Sequence, residues 1–257
     1  MMTEPSERRF GRLLAGRSAF PTERDWERSV VLEPQPASYP PAFVSDGAGL
    51  AFPLAALAAP AGQLQPDDPA VAALSAQIAR QKARPGASPV PGLDRWRMLA
   101  RNDDEVLFGY GVPPHLVTVA MRRDGRRHAW TSAAVSTGRP LRSTRDGIRA
   151  SGWRLDPTRD PDPEDTIVRV LITEQTWAGG KRADTRLLSP DLHADAEELV
   201  LTMFVTPRHG YQVRSPNPET PARVTLPEPI GRRRLSDGAV YGAASTPLTG
   251  ETGADGV

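Results

Sequence analysis

Two apolar-rich runs stand out along the chain, residues 166–174 and 199–207, joined by a charged connection that contains glycine. The first, with Ile167, Val168, Val170, Leu171 and Ile172, is nearly continuous, which predicts a strand buried on both faces or in a sandwich core. From residue 102 on, short β-branched or aromatic runs alternate with turn residues: Glu105–Tyr110, 116–121, 128–135, 147–153, 185–188, Glu198–Val205, 222–226 and 232–235. Between two of them Arg123-Asp124-Gly125-Arg126 predicts a hairpin, because Asp-Gly suits a type I′ turn. Short strands with frequent turns predict a mainly β fold, an antiparallel β-sandwich or barrel-like domain over residues 102–241. The two strongest runs are expected side by side in one layered core, with everything before residue 100 fastened to its outside.

The front of the chain reads differently. Residues 7–14 suit a short helix, and Thr22 is placed to cap another over residues 23–28. Pro34, Pro36, Pro40 and Pro41 then fix an extended, polyproline-like path, so residues 1–62 form a proline-rich arm. Trp26, Tyr39, Phe43 and Phe52 punctuate that arm. A free linker needs no such anchors, so the arm is expected to pack on its own body or on a partner, and these four aromatics are its candidate binding residues. Residues 63–101 read as a short helical segment and linker. Asp68 caps a helix, Pro69 takes its tolerated first position, and Val71, Leu74 and Ile78 make one apolar stripe. The stripe is thin and Ala-rich, which predicts a helix lying on a surface rather than filling a core. Residues 93–100 suit a helical turn, and residues 242–257 are small and polar, as a disordered tail would be.

Composition narrows the function classes. The 257-residue chain has a formal charge of +1, and all but two of its 32 basic residues are arginine. No global field draws it to nucleic acid or an anionic membrane. With no cysteine, disulfides, thiolate metal sites and cysteine nucleophiles are excluded. The longest apolar run, residues 50–61, is broken by Pro53 and Pro60 and is too short to span a bilayer, so the expected location is the cytoplasm or a particle assembled there.

The motifs Glu174-Gln175-Thr176-Trp177-Ala178-Gly179-Gly180, Ser189-Pro190, Ser215-Pro216-Asn217-Pro218 and Glu228-Pro229-Ile230-Gly231-Arg232-Arg233-Arg234-Leu235-Ser236-Asp237-Gly238 set residues 174–238 in a context of strands and turns. That segment resembles the C-terminal β-rich domain of uncharacterised, often exported actinobacterial proteins. Those proteins usually carry one cysteine just before the Ala-Gly step and another before the Pro-Asn-Pro step. Here Trp177 stands near the first place and Val213-Arg214 near the second. The resemblance implies a β-rich fold but no activity and no site residues. Loss of both cysteines together is what a reducing compartment tolerates, with Trp177 expected to fill the vacated space.

Candidate chemistry is sparse. His115, His128, His193 and His209 form no metal-ligand spacing, and Asp156, Asp160, Asp162, Glu164 and Asp165 sit among prolines where a Ca²⁺ loop needs glycine, so they read as a solvated loop. Gly179-Gly180-Lys181-Arg182 lacks phosphate-loop spacing. Ser132, Ser136 and Ser143 lack a nucleophile elbow. Residues 120–160 hold ten arginines against four acids, and Arg122, Arg123, Arg126 and Arg127 make a basic patch at the hairpin. Complementarity with the acidic stretch that follows explains this better than nucleic acid does. No cofactor is expected. The reading that results is a non-catalytic protein-interaction or structural component of a larger assembly, such as a phage-like particle, through a protein partner or self-assembly. The alternatives are a small-ligand or carbohydrate-binding β-module and an enzyme.

Overall fold

The computed structural model describes residues 20–86, 89–126, 129–176, 178–208, 210 and 215–241. The expected helix over residues 7–14, the tail, and Arg127, His128, Trp177 and His209 lie outside them. The chain opens with α1 (Glu23–Glu27) and four short strands: β1 (Val30–Leu32), β2 (Gln35–Pro36), β3 (Phe43–Ser45) and β4 (Phe52–Pro53). Helix α2 (Pro69–Lys82) precedes β5 (Arg97–Arg101), β6 (Glu105–Tyr110), β7 (Val117–Arg123) and β8 (Trp130–Thr137). Then come β9 (Leu141–Arg145), β10 (Ile148–Leu155), β11 (Ile167–Thr173), β12 (Leu187–Ala194), β13 (Glu198–Val205), β14 (Thr220–Thr225), β15 (Arg234–Asp237) and β16 (Val240–Tyr241). The fold is mainly β, with a curled half-barrel sheet and a second, smaller sheet.

The larger sheet runs β1-β14-β11-β10-β13-β12-β2. Its central five strands pair antiparallel, and inward residues of β11, β13 and β14, among them Val170, Leu201 and Val224, form one core with Trp153. The two apolar runs share that core, but they are not neighbours: β10 lies between them. A strand as mixed as Ile148–Leu155 takes a central place because both its faces are covered: Trp153 enters the main core, where its Nε1 donates to the Leu201 carbonyl at 2.9 Å, and Ala150 packs with Phe204 and Ala239 in a separate small cluster.

The arm closes this sheet. β1 pairs in parallel with β14 at one edge and β2 in parallel with β12 at the other. Only Glu33 and Pro34 separate β1 from β2. Three residue steps reach at most roughly 11 Å, so the two edges curl close enough to be stitched by one strand-length of chain. Covering both edges also removes the exposed ladders that invite aggregation. Residues 30–36 are thus part of the half-barrel wall and not an external trim. α1 begins at a capping box, with Thr22 Oγ1 accepting from the Asp25 N–H and the Asp25 carboxylate accepting from the Thr22 N–H.

The smaller sheet is the meander β5-β6-β7-β8, and β7 and β8 pair antiparallel as expected, although neither Asp124 nor Gly125 has the positive φ of a type I′ turn. Asp68 caps α2 through the Ala70 N–H, with Pro69 in the first turn. The helix does fill a core: Ala70, Val71, Leu74 and Ile78 are buried against Trp96, Val106, Phe108, Val119 and Met121. A thin stripe suffices because the large residues come from the sheet. Only residues 93–95 of the expected helical turn are helical; the chain then extends into β5, where Leu99 reaches the opposite face of the sheet. That face packs Leu99, Leu107, Leu116 and Ala120 on Val44, Phe52 and Leu141, which ties the smaller sheet to the arm and to β9.

Candidate functional site

The four arm aromatics separate into two pairs. Trp26 is 1% exposed, with the Arg169 guanidinium 5.4 Å from its ring centre and Glu23 holding that guanidinium through two bonds of 2.7 and 2.8 Å. Phe52 is buried in the core beneath the smaller sheet. Both are consumed in holding the arm to its own chain, so neither is a binding residue: burial of a large ring is worth most where water is fully removed, and that place is inside. Tyr39 and Phe43 remain at the surface. They line a cleft of about 240 Å³ with Phe204, His193, Asp191 and Ser143.

The walls of this arm-lined cleft are fixed by polar contacts. The Ala37 N–H donates to the Leu192 carbonyl at 2.9 Å, and Gln35 Nε2 donates to Asp191 Oδ1 at 2.7 Å. Arg145 donates to the same carboxylate at 3.2 Å and to the Ser189 carbonyl at 2.7 Å, with its guanidinium 4.6 Å from the centre of the Phe204 ring. The Tyr39 and His193 rings lie 6.2 Å apart, tilted at 34°. β3 pairs with β4 and β9, which buries Val44 and Ser45 and leaves Phe43 52% exposed on the rim. Ser143 and His193 face one cleft, yet the Ser143 hydroxyl donates to the Gly238 carbonyl at 2.6 Å, and no hydrogen bond joins it to an imidazole among the described residues.

The basic patch does not form one surface. Arg122 Nε donates to Glu105 Oε2 at 2.6 Å and is neutralised there, while Arg123 and Arg126 are exposed around the turn and Arg127 lies outside the described residues. Arg139, Arg142 and Arg149, from the same arginine-rich stretch, converge instead on a second cleft of about 470 Å³, between the Asp46-Gly47 turn and strands β9 and β10. Sequence reasoning counted these three but did not bring them together. The missed signal is Asp146-Gly147: with φ of 47° and 76°, this pair forms a tight hairpin turn, and Arg149 then pairs across from Thr144 with Arg142 as its diagonal neighbour.

The acidic loop is only partly solvated. Asp156 is buried, and its Oδ1 accepts from the Thr158 N–H at 3.0 Å and hydroxyl at 2.6 Å. Among the described residues no group of three histidines, aspartates or glutamates is placed to hold a metal, and no helix is long and apolar enough to cross a membrane. Comparison with family models, curated proteins and solved structures found no match for this chain.

Proposed function

We propose that this protein is a non-catalytic binding component of a larger assembly and that it meets a protein partner at the arm-lined cleft. Phe43 carries the reading. A phenylalanine half in water, next to residues that are wholly buried, keeps apolar area free to be covered by something else. Tyr39 extends that area, the buried Phe204 ring floors it, and Asp191 and His193 border it with polar groups that fix an orientation. The cysteine-free composition accords with work in the cytoplasm or in a particle assembled there. A saccharide is the second reading, favoured by the same aromatic faces standing beside the Ser143 hydroxyl, Asp191 and His193.

The test is selection of displayed decapeptides on the full chain, with the Phe43→Asp variant as control and a glycan array in parallel. Peptides that bind the parent chain and lose at least about tenfold on Phe43→Asp support the proposal. Peptides indifferent to Phe43 sink it. Glycans bound in a Phe43-dependent way transfer the site to the second reading.

A further inference from the structure

Independently of the arm-lined cleft, we propose that the arginine cleft is an anion-binding site and takes the phosphate or diphosphate group of a small molecule. Arg142 is half-buried on β9, and no carboxylate lies within 4.0 Å of its guanidinium among the described residues. Burial disfavours its charge, as does the field of Arg149, and only the field of Asp237 opposes them. A desolvated cation set beside a second cation is costly unless a counter-charge arrives.

The carboxylates on the cleft wall do not supply that charge. Both oxygens of Glu174 accept from Arg186, at 2.8 and 2.6 Å. Asp46 accepts from the Ala48 N–H at 2.8 Å and from the Thr118 hydroxyl. What faces the cavity is therefore cationic: Arg142 and Arg149 on the wall and exposed Arg139 on the rim. Arg149 is also held in place. Its Nη1 donates to the Gly47 carbonyl at 3.1 Å, and Gly47, at φ 84°, turns the loop towards it. Guanidinium forks arriving from several positions match a tetrahedral oxyanion, which offers acceptors in several directions, whereas one carboxylate would leave some of them unpaired. The volume is that of a small-molecule site.

Isothermal titration of the full chain with pyrophosphate, inorganic phosphate and citrate at low ionic strength tests this. Saturable 1:1 binding of pyrophosphate is expected, weakened at least about tenfold by Arg142→Gln or Arg149→Gln and unchanged by Arg122→Gln and Arg126→Gln. Should Arg142→Gln fail to fold, Arg139→Gln on the exposed rim is expected to weaken binding about threefold. No saturable heat overturns the proposal, and so does binding that survives these substitutions or falls equally in the hairpin variants. Citrate bound as tightly as pyrophosphate overturns the phosphate assignment.

Discussion

The Asn217 side chain clamps the turn that begins at Glu174. Its Nδ2 donates to the Glu174 carbonyl at 2.8 Å and to the Thr176 carbonyl, while its Oδ1 accepts from the Ala178 N–H at 3.0 Å. The Pro-Asn-Pro step is thereby fastened to the segment just before the Ala-Gly step, 43 residues earlier. Trp177, expected to fill the vacated space, lies outside the described residues.

Asn217→Ala removes three hydrogen bonds and leaves two carbonyls and an N–H to water. At about 1 kcal/mol each, with partial exposure softening the loss, the variant is expected to lose about 2 kcal/mol of stability in urea titration. Asn217→Asp is expected to lose nearly as much, because it keeps the acceptor for Ala178 and sets a carboxylate against two carbonyls.

Stitching of the barrel edges by the arm gives a second expectation. Leu32 is buried in the main core between β14 and β12. Leu32→Ala should cost about 3 kcal/mol, the usual loss for a core leucine, and should expose residues 23–36 to limited proteolysis. An arm lying loosely on the surface would show neither effect.

The elements that could be read from sequence were those that declare themselves locally. α2 carried its cap at Asp68 and its stripe at Val71, Leu74 and Ile78, and β11 and β13 carried runs too apolar to sit anywhere but inside. β1 and β2 are three and two residues long and exist only through partners far away in sequence, Ala222–Val224 for β1 and Asp191–Leu192 for β2. No local pattern encodes that pairing. The same limit explains the sites. Tyr39 and Phe43 were visible as aromatics in a proline-rich stretch, but nothing nearby told them from Trp26 and Phe52, whose burial depends on Arg169 and on the smaller sheet. Arg142 and Arg149 were visible as charge, while their meeting depends on a two-residue turn.

Glu174 and Arg186 form a nearly buried, bidentate ion pair, with side chains 5% and 14% exposed. The Glu174 carboxylate, by hydrogen bond first, holds the Arg186 guanidinium above its usual pKa against burial. Arg186→Met strands a buried carboxylate and is expected to cost about 3 kcal/mol. Glu174→Leu combined with Arg186→Met strands neither charge and should recover most of that loss. A double cycle in which the two substitutions simply add would mean that the pair is not coupled in solution.

Asp237, at the end of β15, supplies a pH dependence with a definite sign. Burial pushes its carboxyl up to about 6, and hydrogen bonds from Ala239 and Trp153 with the field of Arg142 pull it back only part-way. Below the unfolded value, near 4, the group is protonated in both states and has no effect on stability. Between there and about 6 the folded chain holds the proton that the unfolded chain has lost, so stability falls as pH rises; above that the loss is complete. Asp237→Asn removes the ionised form while keeping an acceptor for the Ala239 N–H. It is expected to be more stable than the parent by about 3 kcal/mol at pH 8, since a tenfold change in proton affinity is worth about 1.4 kcal/mol, and equal to it near pH 4. Paired thermal melts across that range decide the matter: a difference that stays constant with pH means Asp237 titrates as a solvent-exposed carboxylate. Because Asp237 is the acidic group whose field favours the Arg142 charge, the same substitution should also tighten pyrophosphate in the arginine cleft at pH 8, by deepening the cation's need for an anion.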